Sequence, residues 1–139
     1  MEIIANAVQT VAANQNVYFT NTVACGGCSI IHRDNSGLIA LRGVTNQCRA
    51  RYKVTFSGNV AIPTGGAVGP ISFAIVTEGE AIPYSTMIST PAAVEDFNNI
   101  GVTIMIDVPR GCCYTIAIQN IGTAAADIQN ANLVIERVA

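Results

Sequence analysis

The stretch ARYKVTFSGNVAI, residues 50–62, alternates apolar and polar side chains along most of its length. Tyr52, Val54 and Phe56 therefore fall on one face of an extended chain, and the polar residues between them fall on the other. Successive side chains of a β-strand point to opposite faces, so this period of two predicts a half-buried strand. This stretch carries the clearest secondary-structure signal in the chain.

The same alternation recurs in four further stretches, which are ISFAIV (71–76), VTIMIDV (102–108), YTIAI (114–118) and NLVIERV (132–138). Segments rich in Gly, Pro, Asn and Asp separate them, for example DNSG (34–37) and IPTGG (62–66). The pattern predicts an all-β antiparallel sandwich, with at most one helical turn after Pro91. We expect a single jelly-roll domain over residues 16–139, preceded by an arm or first strand in residues 1–15.

The composition limits the classes of partner. Of 139 residues, 50% are hydrophobic, only 12% are charged and none is Trp, which predicts that another subunit covers part of the surface. Seven scattered basic residues against nine acidic ones give no basic patch, so we expect no nucleic-acid partner. No apolar run is long enough for a membrane helix, and the N-terminal segment has no Sec-type signal pattern.

Three stretches resemble strands of the tumour necrosis factor-like jelly roll, in the form found in bacterial collagen-like surface proteins of spores. NVYFTNTV (16–23) resembles the opening strand, ARYKVTFSGNVAI the central strand of the inner sheet, and NANLVIERVA (130–139) the terminal strand. Two departures are the lack of a Gly-x-y collagen stalk in front of the domain and the polar TNQCRAR (45–51) before the central strand. The resemblance implies a homotrimer in which aromatic residues lie in the core or along a three-fold axis: Tyr52, Phe56, Phe73 and Tyr114.

Five cysteines lie in three separate stretches, as Cys25 and Cys28 in CGGC, Cys48 alone, and Cys112 next to Cys113. A redox Cys-x-x-Cys needs a helix behind its first thiol, whereas CGGC precedes a predicted strand and turn. Three hypotheses remain, which are reduced thiols buried as small hydrophobic groups, disulfides within or between subunits, and a structural zinc site. Adjacent Cα atoms lie about 3.8 Å apart, short of the roughly 4.4–6.8 Å span of a disulfide, so Cys112 and Cys113 are not expected to pair with each other.

No group of residues in the sequence indicates catalysis, and we expect neither an enzyme nor a cofactor other than the zinc alternative. His32, the only histidine, stands before a turn, where a solvated side chain is expected. Glu78 with Glu80 and Glu95 with Asp96 form carboxylate pairs in predicted loops, where charge serves solvation.

Two charged features remain, both on predicted strands. Asp107 is expected to form a structural ion pair with Arg42, Lys53 or Arg110. A row of three basic residues on one strand face is either solvated or docks on an acidic surface. This row consists of Arg49, Arg51 and Lys53.

These observations predict a non-enzymatic, self-assembling structural protein, a homotrimer displayed on a larger protein lattice. A phage head-decoration or head-fibre protein, located on the virion, is the first hypothesis. A disulfide-linked subunit of a spore coat, exosporium or appendage, at a cell or spore surface, is the alternative. A carbohydrate-binding jelly-roll module with a glycan ligand is the hypothesis from another class.

Overall fold

The computed structural model describes all 139 residues and contains twelve strands and one 3-10 helix, Pro83–Ser85. The strands are β1 (Glu2–Ala5), β2 (Gln9–Val11), β3 (Asn21–Ala24), β4 (Ile30–His32), β5 (Ile39–Arg42), β6 (Arg49–Ala61), β7 (Ile71–Thr77), β8 (Glu80–Ala81), β9 (Met87–Ser89), β10 (Asn98–Pro109), β11 (Cys113–Asn120) and β12 (Ala126–Arg137).

The strands form two antiparallel sheets that pack as a jelly-roll sandwich, which confirms the predicted fold class. The first sheet has the order β10-β6-β12-β1-β3, and β2 also pairs with β12. The second sheet has the order β4-β5-β11-β7-β8. β9 also pairs with β7, at the start of β7, whereas β8 pairs with its last two residues.

Three long strands dominate the first sheet, because β6, β10 and β12 have 13, 12 and 12 residues. Phe56 of β6 lies opposite Val102 of β10 on one side and Leu133 of β12 on the other. The alternation read from residues 50–62 is the alternation of burial in β6, in which every second side chain enters the sandwich.

The core is one cluster of 29 buried residues between the two sheets. The predicted aromatic residues belong to it, since Tyr52, Phe56 and Phe73 are fully buried and Tyr114 is partly buried against the same cluster. Phe56 also meets Phe19 edge to face, with ring centroids 6.4 Å apart. These aromatic side chains therefore stabilise the interior of the protomer.

The N-terminal segment is part of the sandwich. β1 pairs with both β12 and β3, and β2 pairs with the first residues of β12. A register shift in β12 between Gln129 and Asn132, with Asn130 at a φ of 54°, separates these two pairings along the strand.

The helix content is very low, as predicted, and the one helical turn that the sequence allowed after Pro91 does not form, because residues 91–97 form bends and turns that lead into β10. The helical turn lies instead at Pro83–Ser85. Ser85 is fully buried, and its hydroxyl accepts a hydrogen bond of 3.0 Å from the backbone N–H of Ile75. The Ser85 hydroxyl thereby provides a hydrogen-bond partner for the β7 backbone between the residues that pair with β8 and those that pair with β9. No helix in the structure has the length and apolar character needed to cross a membrane.

We predict that Phe56→Ala lowers the free energy of unfolding by about 3–5 kcal/mol, because it opens a cavity in a closed core. Tyr18→Ala is the matched control, since the Tyr18 side chain is 55% exposed. Urea unfolding followed by circular dichroism at fixed protein concentration measures both variants. Equal losses in the two variants would contradict this account of the core.

Candidate assembly surfaces

All five cysteines lie at one end of the sandwich, which we call the cysteine pole. It comprises the β3–β4 loop (25–29), the β5–β6 loop (43–48) and the β10–β11 turn with Cys113 (110–113). Backbone hydrogen bonds connect the last two segments, from Arg110 N to Cys48 O at 3.0 Å and from Gly43 N to Cys112 O at 2.7 Å. Arg42, at the end of β5, lies opposite Cys113, and its guanidinium donates to Cys28 O at 3.4 Å.

The thiols themselves are free and exposed, all five of them. The expectation that they are buried as small hydrophobic groups is therefore wrong, because each lies in a loop or at a strand end rather than on an inward strand position. No group of three or more His, Cys, Asp or Glu side chains is placed to hold a metal ion, so the geometry offers no zinc site. Thiols that face outward remain accessible to a partner subunit.

Tyr52 connects the core to the cysteine pole. Its ring is fully buried, and its hydroxyl donates to the carbonyl oxygen of Arg42 at 2.6 Å. Gly43, the next residue, is packed so closely that a Cβ there would lie 2.0 Å from the carbonyl oxygen of Pro109. The loops that carry Cys48 and Cys112 are thus held in fixed positions.

Basic residues surround the same pole, although they are scattered in the sequence. The three cysteine-bearing segments contain no acidic residue, and the arginines that lie in or flank them are Arg42, Arg49 and Arg110. Arg137, at the end of β12, lines a shallow polar depression of ≈ 450 Å³ together with residues 44–47. The fold therefore brings to the cysteine pole basic residues that are scattered in the sequence.

Asp107 on β10 is the acid that pairs with Arg49 of this group and with Arg51 of β6. Its carboxylate accepts two hydrogen bonds from Arg51, at 2.7 and 3.0 Å, and lies 2.9 Å from Arg49 Nε. The hydrogen bonds from Arg51 are the main reason why the pKa of Asp107 is lowered, with smaller contributions from the charges of Arg51 and Arg49. The prediction that Asp107 pairs with Arg42, Lys53 or Arg110 is wrong. The ion pairs that it does form are structural, as predicted.

The predicted docking row lies on the outward face of β6, but its charge is largely compensated. Arg49 and Arg51 share Asp107, and Lys53 lies opposite Glu136 of β12 in the strand register. The side chains of Arg49, Arg51 and Asp107 are 52%, 39% and 41% exposed, so these ion pairs are well solvated. The row therefore offers less net charge than three free cations.

A second surface, the apolar side, follows the edge strands β9 and β10. β9 ends the second sheet and contacts β10, which ends the first. Among the exposed large apolar side chains of the protein, Ile88 and Met105 are 66% and 51% exposed here. The apolar side consists of Tyr84, Ile88, Val94, Phe97 and Met105. The sequence does not reveal this surface, because the pattern of a single strand does not show which strands lie at the edge of a sheet.

The outward surface of the first sheet carries few charges near its centre, and we call it the flat face. In the strand register, Gly101, Ser57, Asn132 and Ile4 form one row across β10, β6, β12 and β1. The next row begins with Thr103 and Thr55, whose hydroxyls are 3.1 Å apart, and continues through Val134 to Glu2. Where the rows cross β10 and β6 the side chains are small, as Gly101, Ser57 and Thr55 are, and another subunit can approach the backbone closely there.

The remaining candidate residues have local structural roles. His32 is half-buried rather than solvated, since its Nε2 donates to Ser36 O at 2.9 Å and its ring packs edge-on against Phe19. The Glu78 carboxylate accepts from the backbone N–H of Thr115, and the Glu95 carboxylate accepts from the Thr64 hydroxyl. These contacts close turns at the surface of the sandwich.

Comparison with solved structures identifies the fold. The chain superposes on murine APRIL with a TM-score of 0.70 at 11% identity, covering 99% of this chain and 98% of that one. It superposes on Eiger TNF from S. frugiperda with a TM-score of 0.67 at 12% identity, covering 100% and 92%. For the globular domain of zebrafish complement 1qA, the TM-score is 0.63 at 8% identity, covering 96% and 93%.

No family model and no curated protein matches the sequence. At these identities the superpositions establish the fold alone, and the chain therefore has the tumour necrosis factor-like jelly-roll fold that its strand patterns predicted.

We predict that Gly43→Ala destabilises the protein by about 1–3 kcal/mol through overpacking, because its Cβ would overlap backbone atoms that have no free space to move. Gly27→Ala is the matched control in the same pole, since nothing lies within 4 Å of a Cβ there. Thermal unfolding of the two variants provides the comparison. A Gly43→Ala protein as stable as Gly27→Ala would show that the β5–β6 loop is not held against the β10–β11 turn.

We predict that Asp107→Asn makes stability less dependent on pH in the acidic range. A carboxyl whose pKa is lowered in the folded state stabilises the protein above its unfolded pKa of about 3.9, and this contribution is lost as the pH falls through the folded value. The wild-type protein should therefore be more stable than the variant near pH 7, and the difference should diminish as the pH falls below about 3.9 and through the lowered folded pKa. Asp96→Asn, in an exposed loop, is the control, and a pH-independent difference for Asp107→Asn would contradict the ion pair.

Proposed function

We propose that this protein is a non-enzymatic structural subunit that assembles as a homotrimer and is displayed on a larger protein lattice. The apolar side of one copy packs against the flat face of the next copy, and the arrangement closes after three copies. The observation that carries this proposal is that five large apolar residues are exposed on the adjoining edge strands β9 and β10 and on the segments that precede them. Exposed apolar residues grouped in this way favour a protein–protein contact over solvent.

Two different surfaces are what a ring of identical subunits requires. A two-fold interface uses the same patch on both copies, whereas a three-fold ring uses two different patches on each copy. The apolar side and the flat face adjoin along β10, since Met105 of the first and Thr103 of the second lie on the outward face of this strand. The apolar side then extends to β9, and the flat face extends to β1. The trimer implied by the resemblance to tumour necrosis factor-like domains has this kind of symmetry.

The larger lattice that we propose is a virion head, which the trimers decorate from outside. The low charge content supports a subunit that is covered by neighbours rather than one that diffuses freely. The polar contacts of His32, Glu78 and Glu95 support a structural role over a catalytic one, because each of these groups is engaged with a neighbouring residue.

We predict that the double variant Ile88→Glu, Met105→Glu is a monomer of 14.5 kDa, while the wild-type protein has about three times that mass. Two carboxylates on the apolar side would have to be buried without partners in the trimer, and this costs more than the contact provides. Light scattering coupled to size-exclusion chromatography measures the mass. Val44→Glu, in the β5–β6 loop of the cysteine pole and 52% exposed, is the control that should remain trimeric. A monomeric wild-type protein would refute the assembly.

Electron cryomicroscopy of the native assembly tests the display function. Trimers seated at regular positions of a protein shell are expected. Stacked subunits in an appendage would favour the spore-coat or appendage alternative, and free protein bound to a glycan would favour the carbohydrate-binding alternative. Either result would overturn the decoration role.

A further inference from the structure

The cysteine pole carries five exposed thiols that neither the core nor the proposed trimer contact uses. They come from three segments that are far apart in the sequence, and no cysteine lies anywhere else in the chain. The pole is at the ends of the strands, whereas the apolar side and the flat face run along them. The thiols therefore remain accessible when the protein assembles sideways.

The charge around these thiols selects the kind of partner. Arg42, Arg49 and Arg110 lie in or next to the cysteine-bearing segments, and Arg137 lines the adjacent depression. The Asp107 carboxylate is shared by Arg49 and Arg51, so these three residues together retain one positive charge. Two copies placed pole to pole would bring these arginines together, and like charges disfavour that contact. An acidic protein surface is attracted to the same pole, and the attraction raises the rate at which that surface and the pole encounter each other.

We propose that the cysteine pole is a covalent attachment site that exchanges disulfides with an acidic protein surface. This proposal rests on the proposed function, since it names the chemistry by which the displayed subunit is fastened to its lattice. Cys48, Cys112 and Cys113 carry the reaction, because their two segments adjoin Arg49 and Arg110 and are joined to each other by backbone hydrogen bonds. Cys28 meets only Arg42, and it does so through its backbone carbonyl oxygen.

The step is a thiol–disulfide exchange. The sulfur of the pole cysteine, as its thiolate, attacks one sulfur of a disulfide on the partner, and the partner's S–S bond breaks as the new S–S bond forms. The leaving sulfur departs with the bonding electron pair as a thiolate and takes up the proton that the cysteine released to solvent. The pole cysteine is oxidised, the partner's disulfide is reduced, and no further oxidant is needed.

Synthetic peptides that differ only in charge test the proposal with the full-length protein. Each carries one cysteine as its mixed disulfide with 2-mercaptoethanol, flanked by four glutamates, four glutamines or four lysines. Intact-protein mass spectrometry follows the formation of the protein–peptide disulfide, and peptide mapping locates it. The same peptides react with N-acetylcysteinamide, an uncharged thiol, to correct for their intrinsic reactivity.

After this correction, the glutamate peptide should react roughly tenfold faster than the lysine peptide at low ionic strength, and 1 M salt should remove the preference. Arg49→Gln with Arg110→Gln should reduce the preference, whereas Arg33→Gln, in the β4–β5 turn away from the pole, should not. The first adducts should be at Cys48, Cys112 or Cys113. The proposal is overturned by equal rates, by a preference that is unchanged in the double variant, or by initial modification at Cys25 or Cys28.

The oligomeric state is measured separately on the same samples. A charge-selective exchange by a monomeric protein would retain the attachment chemistry and refute the trimer. A trimer without charge selectivity would refute the attachment site and retain the proposed assembly.

Discussion

The pairing of β6 with β10 and β12 is the interaction on which the other features depend. Each of these strands alternates inward and outward residues, so a shift of one position in β6 would turn Tyr52 and Phe56 outward and carry Arg51 and Lys53 into the core. Burying an unpaired charge in an apolar interior is strongly unfavourable, and this fixes the register. The same register places Arg51 opposite Asp107 and brings the start of β6 level with the end of β10.

The sequence was sufficient to predict the sandwich because the signal for each strand, the alternation of apolar and polar residues, is local. The five alternating stretches correspond to β6, β7, β10, β11 and β12, and the inward aromatic residues among them are core residues. Short strands were harder to assign, as β2, β8 and β9 have only two or three residues each. Their positions depend on longer neighbours, such as β7, which supplies the pairing for both β8 and β9.

The candidate sites depend on contacts between distant residues, and this is why the sequence did not reveal them. Residues 25–29, 43–48 and 110–113 meet only because β5 pairs with β4 and β11 in one sheet while β6 pairs with β10 in the other. Asp107 illustrates the same point on a smaller scale. Arg110 is nearer in sequence but lies in the turn beyond β10, whereas cross-strand pairing places Arg51 directly beside the carboxylate.

The positions of the surfaces also separate self-assembly from attachment. Contacts through the apolar side and the flat face lie along the strands, and in the proposed trimer they leave the strand ends uncovered. Arg42, Arg49, Arg110 and Arg137 lie at one of those ends together with all five thiols, outside the uncharged centre of the flat face. An arginine buried in the lateral contact would need a new partner for its charge. Keeping the arginines at the pole removes that cost, and it allows the thiols to meet an acidic surface after the trimer has formed.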